Sequence, residues 1–323
     1  NDELAFCMAH DSDEFNRWDA GQQLATRIIL QLIRSIQNND RLEMPDYFVD
    51  AYSKTMHDSA LDKSLLARAL SLPSISYISE RMDVADVHAI HGAREFIHRQ
   101  LSHRLQQEWL DLYNANQAEE FSLSSEAMGG RFLKNVALSY LFYDDAETHV
   151  SLALNQFETA NNMTDQLAGF RVLVHNDTSQ RQHVTEAFYQ QWKHEHLVID
   201  KWFTIQAMAV LDDTIHTVKK LFKHTDFDLM NPNRTRALLG AFCTANPVCF
   251  HDASGDGYRL LGEYVEKLNE LNPQIAARLL SPMTRWHRFG ADAQTMMKAE
   301  LERLSQLPHL SSDVYELVSK SLK

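Results

Sequence analysis

His88, His91, Glu95 and His98 fall at offsets of three, seven and ten, which places them on one stripe of a helix. Three imidazoles and a carboxylate are zinc-ligand types. Consecutive ligands on one straight helix do not easily wrap a tetrahedron, and His103 extends the same bias, so the spacing predicts a polar face, solvated or packed between helices. His194-Glu195-His196 begins like the zinc-peptidase pattern H-E-x-x-H, but the residue four places on is Val198, and the full pattern occurs nowhere in the chain. Asp252, Ser254, Asp256, Gly257 and Glu263 match positions 1, 3, 5, 6 and 12 of an EF-hand loop. Asn246-Pro247 leaves little room for an entering helix, and the same composition makes an ordinary turn and cap before Tyr258. A calcium-responsive module would show a calcium-dependent melting shift that disappears in Asp252→Ala.

Cys243, Cys249 and His251 lack a fourth ligand and a zinc spacing. With Cys7 they make three cysteines, no even framework and no C-x-x-C, which points to free thiols in a reduced, cytoplasmic compartment. No G-x-S-x-G elbow or phosphate loop is present, so no independent catalytic signature emerges. Trp192, Trp202 and Phe203 are expected to be interhelical core.

The arginines of the stretch from Asn231 to Pro282 are different in kind. Arg234 and Arg236, two residues apart on a helix, point about 200° away from each other and cannot share one environment. One must meet solvent while the other meets the core or a concave wall, where a guanidinium needs a partner. Arg236 and Arg278 both sit among small or apolar neighbours and are the candidate receivers of an anionic ligand terminus; the alternative is an internal pair with Asp or Glu.

These side chains must be carried by helices. Asn-Pro occurs at Asn231-Pro232, Asn246-Pro247 and Asn272-Pro273, and Asn at the cap with Pro in the first turn is a helix start. Apolar stripes predict a long helix from Phe15 to Asn38 and shorter ones over 45–56 and 61–70. The longest is expected from about Asp83 to Asn114. Further helices are expected over 124–143 and 146–160, joined by a short Asp144-Asp145 link, and then repeatedly to Leu322. No strand pair and no fixed sequence period appear, so the expected class is all-α, a superhelix or solenoid of stacked antiparallel helices.

Composition agrees. With 44% hydrophobic residues but only 10 Gly and 7 Pro among 323, a large core is possible and turn-rich β architecture is not favoured. A net charge of −13 argues against a broad nucleic-acid or acidic-membrane surface while allowing a local basic pocket. No apolar run approaches the roughly 18 residues that span a bilayer. No Pro/Gly/Ser-rich linker marks a boundary within 1–323, and the first residues, without an initiating Met, lead to the expectation of a piece from a longer protein.

Several stretches together resemble one family from end to end: Phe15-Asn-Arg-Trp-Asp-Ala-Gly-Gln22, Leu112-Tyr-Asn-Ala-Asn116, Ala160-Asn-Asn-Met-Thr-Asp165, Val198-Ile-Asp-Lys-Trp-Phe203, Asn231-Pro-Asn-Arg-Thr-Arg236, Gly240-Ala-Phe242 with Asn246-Pro247, Gly257-Tyr258, Asn272-Pro273 with Ala277-Arg-Leu279, and Leu310-Ser-Ser-Asp-Val-Tyr315. In order and content the chain resembles the C-terminal domain of bacterial aminopeptidase N, a zinc metallopeptidase of the gluzincin class. The resemblance implies a helical domain that caps a catalytic domain, encloses its chamber and limits entry to peptides and unfolded ends. It also implies that the preceding catalytic and β domains of the same polypeptide are the partners, and that zinc is bound outside this chain. Arg236 and Arg278 occupy motif positions, so the resemblance implies that they line the chamber and bind peptide away from the scissile bond. These 323 residues alone would then be inactive. The competing expectation is a stand-alone α-solenoid scaffold that binds a protein partner on its concave face.

Overall fold

The computed structural model describes residues 1–144 and 146–323, and of Asp144 it describes the backbone alone. The expected Asp144-Asp145 link therefore lies largely outside the described residues. Regular structure among the described residues is helical, and one isolated bridge joins Ala85 to Phe289. The all-α expectation holds.

Two compact units are present. Unit 1 comprises Asn1–Arg81, His88–Leu173 and Thr178–Val184; unit 2 comprises Met82–Val87, Val174–Asp177 and Thr185–Lys323. The helices over the first stretches are α1 (Asp2–His10), α2 (Glu14–Asn38), α3 (Asp46–Met56), α4 (Lys63–Ala69), α5 (Ile75–Ser79), α6 (Val87–Arg104), α7 (Gln106–Ala115), α8 (Ser125–Asp144), α9 (Ala146–Thr159), α10 (Met163–His175) and α11 (Arg181–Trp192). Within unit 1, α1 packs on α2 and α3, α2 on α4, α4 on α8, and α8 on α7 and α9.

The expected single helix from Asp83 to Asn114 is two helices, and α2 is the longest instead. The break is at Leu105, whose φ of −120° and ψ of 28° leave the helical region. The Trp109 indole donates to the Leu101 carbonyl at 3.0 Å, a bond that fixes the joint, and both Leu105 and Trp109 are buried. No proline or glycine marks this break, so periodicity ran straight through it.

The stretches that carry the resemblance tie neighbouring helices together. Asp13 caps α2 by accepting from Asn16 N at 2.9 Å. Arg17, 5% exposed, donates to the Met8 and Ala9 carbonyls at 3.0 Å each and pairs with Asp58 at 2.6 Å, so it satisfies the end of α1. Gln22 donates to the Ser71 carbonyl at 2.8 Å. Gly21 lets Met8 approach, since a Cβ there would lie 3.2 Å from its sulfur. Deeper in unit 1, Lys134 of α8 pairs with Asp165 of α10 at 2.7 Å, and both side chains are almost wholly buried. Asn135 donates to the same carboxylate at 3.0 Å and Asn162 at 3.1 Å, while Gln156 donates to Asn135 Oδ1 and to the Asp165 carbonyl.

The remaining elements belong to unit 2: α12 (His196–Ala207), α13 (Thr214–Leu221), α14 (Pro232–Thr235), a π-helix (Arg236–Ala245), α15 (Pro247–Phe250), α16 (Asp256–Leu271), α17 (Pro273–Leu279), α18 (Ser281–Thr284), a 3-10 turn (Trp286–Arg288), α19 (Ala291–Ser305) and α20 (Ser312–Ser321). Each Asn-Pro pair starts a helix as predicted. Asn231 accepts from Asn233 N and Arg234 N, Asn246 from Cys249 N, and Asn272 from Ile275 N.

The π-helix is the hub of unit 2, packing against α12, α13, α14, α15, α16 and α17. Its wider turn, with each N–H bonding five residues back, lets consecutive residues bury on both sides. Ala237, Leu238, Leu239, Ala241, Phe242 and Cys243 are all buried, whereas Arg236 and Thr244 are exposed with Gly240 half-buried between them. Asn246 terminates the π-helix and donates to the Ala207 and Ala209 carbonyls at 3.1 and 2.7 Å, pinning its end to α12 and the residues after it.

Candidate functional site

Within Asn231-Pro-Asn-Arg-Thr-Arg236 nearly every side chain has a structural task. Asn231 caps, Pro232 occupies the first turn, and Thr235 Oγ1 donates to the Leu229 carbonyl at 3.0 Å. Arg234, 3% exposed, pairs with Asp200 at 2.7 Å, donates to the Asp226 carbonyl at 2.6 Å, and lies over the Phe203 ring at 5.0 Å. The internal pair weighed for this segment is thus made by Arg234 and not by Arg236.

Arg236 points the other way, as the 200° offset requires, and is exposed. Its Nε donates to the Pro232 carbonyl at 3.1 Å, which leaves both Nη groups without a protein partner among the described residues. Arg278, on α17, is also exposed and makes no ion pair or side-chain hydrogen bond among the described residues. The elements bearing the two arginines meet at Gly240, where a Cβ would lie 3.7 Å from the Arg236 Cβ and 3.7 Å from the Leu279 Cδ2. Two exposed guanidinium groups are thus carried by elements that meet at one residue without a side chain. Such a surface can receive a carboxylate through parallel N–H donors.

The other sequence candidates resolve differently. His98 is buried and its ring stacks on Tyr143 with centroids 4.3 Å apart, while Glu95 lies 3.8 Å from Arg99. Burial, reinforced by the Arg94 charge, holds the His98 pKa well below the usual imidazole value. A histidine of this kind is neutral when folded and protonated when unfolded in mild acid. Its contribution is complete above the unfolded pKa of about 6.5 and falls as the pH drops toward the folded pKa, by up to about 1.4 kcal/mol per pH unit. His98→Phe, which keeps the ring stack, is expected to flatten that part of the stability-pH curve measured by urea denaturation between pH 7 and 5. An unchanged slope would rule His98 out as its source.

In the EF-hand-like stretch, Asp252 Oδ1 accepts from Ser254 N at 2.9 Å, and Gly255 takes a left-handed φ of 71°. Asp256 pairs with Lys219 at 3.3 Å and with Arg259, and its carboxyl is held below the usual range chiefly by the Arg259 hydrogen bond. Glu263 pairs with Lys267 at 2.6 Å. The Asp256 and Glu263 carboxylates are engaged by cations of the protein and Asp252 by a backbone N–H, in the turn-and-cap arrangement weighed against calcium. His194, Glu195 and His196 are exposed where α12 begins. His251 Nδ1 bonds the Tyr258 hydroxyl at 2.8 Å, and the Cys249 thiol, raised by burial, faces the Ala209 carbonyl at 3.7 Å. Trp202 and Phe203 are core, as expected. Among the described residues no group of three or more His, Cys, Asp or Glu is arranged to hold a metal ion, so these residues do not fit zinc.

A family model described as a domain of unknown function (DUF3458_C) with ARM repeats matches residues 1–323. The chain belongs to this family. This ARM-repeat domain is 39% identical to aminopeptidase N of Escherichia coli K12 over 323 residues, covering 99% of the chain and 37% of that protein. Against aminopeptidase N of Caulobacter vibrioides the identity is 36% over 313 residues, covering 97% of the chain and 36% of that protein. Among solved structures, Legionella pneumophila aminopeptidase A in complex with aspartic acid superposes with a TM-score of 0.89 at 31% identity, covering 99% of this chain and 38% of that one. The ARM-repeat domain thus spans little more than a third of the length of these relatives, and it is the counterpart of their C-terminal part.

Sequence reasoning singled out Arg236 and Arg278 and passed over two other features. The π-helix has no composition signal, because its ten residues are also an acceptable α-helical stretch. Arg94, half-buried on α6, lies three residues after His91 on the histidine stripe and was legible only as part of a polar face.

Proposed function

We propose that residues 1–323 form one domain, the C-terminal helical domain of a cytoplasmic zinc aminopeptidase N that removes N-terminal residues from peptides. Its own share is to wall the active-site chamber, restrict entry and hold the far end of a bound peptide. The observation that carries this reading is that Arg236 and Arg278 are exposed and have no carboxylate partner among the described residues, on elements that meet at Gly240, in a chain that aligns with aminopeptidase N over nearly its whole length. Peptide substrates carry a C-terminal carboxylate, and a guanidinium with free Nη groups binds that group in a fork. Bond cleavage and zinc are assigned to the preceding catalytic domain of the same polypeptide, and no step of the chemistry is assigned to these residues.

A contact remote from the scissile bond is equally strong in the ground state and the transition state, so its loss raises KM and spares kcat. In the full-length enzyme, Arg236→Ala and Arg278→Ala are each expected to raise KM for tri- and tetrapeptides about three- to tenfold, the scale of a charged hydrogen bond near solvent. Peptide amides, lacking the carboxylate, should show no such difference. An unchanged KM for the acids in both variants sinks this role. Cleavage of an aminoacyl reporter by these 323 residues alone, at stoichiometric rates, sinks the division of labour.

A further inference from the structure

In unit 1 three helices begin side by side. Glu14 Oε1, in the first turn of α2, accepts from Asp62 N at the start of α4 at 3.1 Å. Lys63 Nζ lies 3.9 Å from Glu126 Oε1 in the first turn of α8, and a Cβ on Gly129 would lie 3.0 Å from both Lys63 Cβ and Ser64 Oγ. The first turns of α2, α4 and α8 therefore share one edge. At its α8 end, Ser124 Oγ accepts from Ala127 N at 3.2 Å, which puts Leu123 and Met128 in the two positions that form an apolar staple around a helix cap. Phe132 follows Met128 by four residues on the same stripe. Phe121 lies over the Arg131 guanidinium at 5.1 Å, and Arg131 Nη1 donates to the Ser122 carbonyl at 2.8 Å, so the loop before α8 is folded against that stripe.

The apolar side chains of this edge face water. Phe15 is 63% exposed, Phe121 51%, Leu123 73%, Met128 47% and Phe132 39%. Among the described residues of unit 1 the other large apolar side chains exposed in this way are Phe6 and Tyr77, so the exposure is concentrated here. Single exposed apolar residues are ordinary, whereas a contiguous group marks a contact surface. Asp13, Glu14, Asp62 and Glu126 surround it, with Lys63 as the cation among them, because Arg17 is turned inward onto Asp58 and two carbonyls of α1. Carboxylates suit helix N-termini in any case, and here they also set the sign that a partner must carry. Those two carbonyls, of Met8 and Ala9, hold the end of α1 at the start of α2, and the nine residues of α1 rise about 14 Å from there back to Asn1.

We propose that this edge is the seat of the polypeptide that precedes Asn1, which covers Phe15, Leu123, Met128 and Phe132 with apolar side chains rimmed by Lys and Arg. The inference rests on the reading above, in which catalytic and β domains precede this one. Such domains enter unit 1 within the length of one short helix of the edge, and the relatives carry nearly two thirds of their length outside the matched part. Domains joined so closely bury a shared apolar surface at little further cost in chain entropy.

The test uses the full-length enzyme, with Phe132 replaced by the photoreactive p-benzoylphenylalanine. On irradiation it is expected to cross-link within one polypeptide, to residues N-terminal to Asn1. Cross-links to a second copy, or none, overturn the seat. Independently, Met128 of the otherwise unaltered enzyme is expected to be oxidised by hydrogen peroxide about tenfold more slowly than in the guanidinium-unfolded protein, because thioether oxidation follows exposure. Leu123→Glu with Phe132→Glu, which places charges at exposed positions and spares the core of unit 1, is expected to remove most of that protection. A native Met128 rate within twofold of the unfolded rate also overturns the seat. If the full-length enzyme cleaves peptides and these results are negative, the docking edge alone fails; if no catalytic domain precedes Asn1, the proposed function fails with it.

Discussion

Lys134→Met is expected to lower stability by about 3–5 kcal/mol, the cost of leaving one buried charge without its partner. The Asp165 carboxylate would keep the Asn135 and Asn162 donors but lose the ammonium 2.7 Å away, with almost no water to replace it. The size follows from burial: Lys134 and Asp165 are 6% and 7% exposed at the side chain, whereas a surface pair of the same length would contribute about 0–1 kcal/mol. Asp165→Leu should be comparably costly, because the lysine is then the stranded ion. The double variant Lys134→Met with Asp165→Leu should recover much of the loss, since replacing both members of a buried pair with apolar residues is often close to neutral. Urea denaturation of the three proteins measures this. Single variants within about 1 kcal/mol of wild type would mean that the network relaxes and that the pair is not a fixed part of unit 1.

Arg234→Met should be of similar size, about 3–5 kcal/mol, for a related but separable reason. The guanidinium connects α12 to the start of α14 through Asp200, closes the turn before it through the Asp226 carbonyl, and rests on Phe203. Removing it strands Asp200, 17% exposed, and takes away the donor to the Asp226 carbonyl. Arg234→Lys would restore the charge but not the fork, and it should recover less than half of the loss. The readout that separates this from generic destabilisation lies in the full-length enzyme. Because Arg236 begins the next helix, loosening α14 should raise KM for peptide acids in Arg234→Lys even at temperatures where the protein is fully folded. A KM equal to wild type, with stability clearly reduced, would show that the two arginines are uncoupled.

The sequence carried the helix starts well. Each Asn-Pro pair begins a helix through the side-chain cap its chemistry predicts, and α2 begins within a residue of its expected place. The opposed environments of Arg234 and Arg236 also followed from helical geometry alone. What did not follow was any feature decided by tertiary contacts. The joint at Leu105 depends on an indole reaching a carbonyl eight residues back, which no periodicity records. The histidine stripe was read correctly as one face, yet its character changes along its length from exposed His88 to buried His98, and a spacing rule assigns all positions alike. Of the candidate site, the residue types were legible; the meeting of their two helices at Gly240 was not, because forty residues separate the parts.

The ten-residue π-helix also bears on which changes in chain length this gene can accept. Between Arg236 and Ala245 the backbone is wound loosely enough that losing one codon would let it retighten into an ordinary helix with every hydrogen bond still made. That repair would swing all that follows by about 100°, carrying Asn246 away from the carbonyls of Ala207 and Ala209 that it now grips. In-frame deletions should therefore be tolerated in the exposed turn around Ser254 and rejected here, where a local gain in regularity would come at the expense of the joint to the preceding helix.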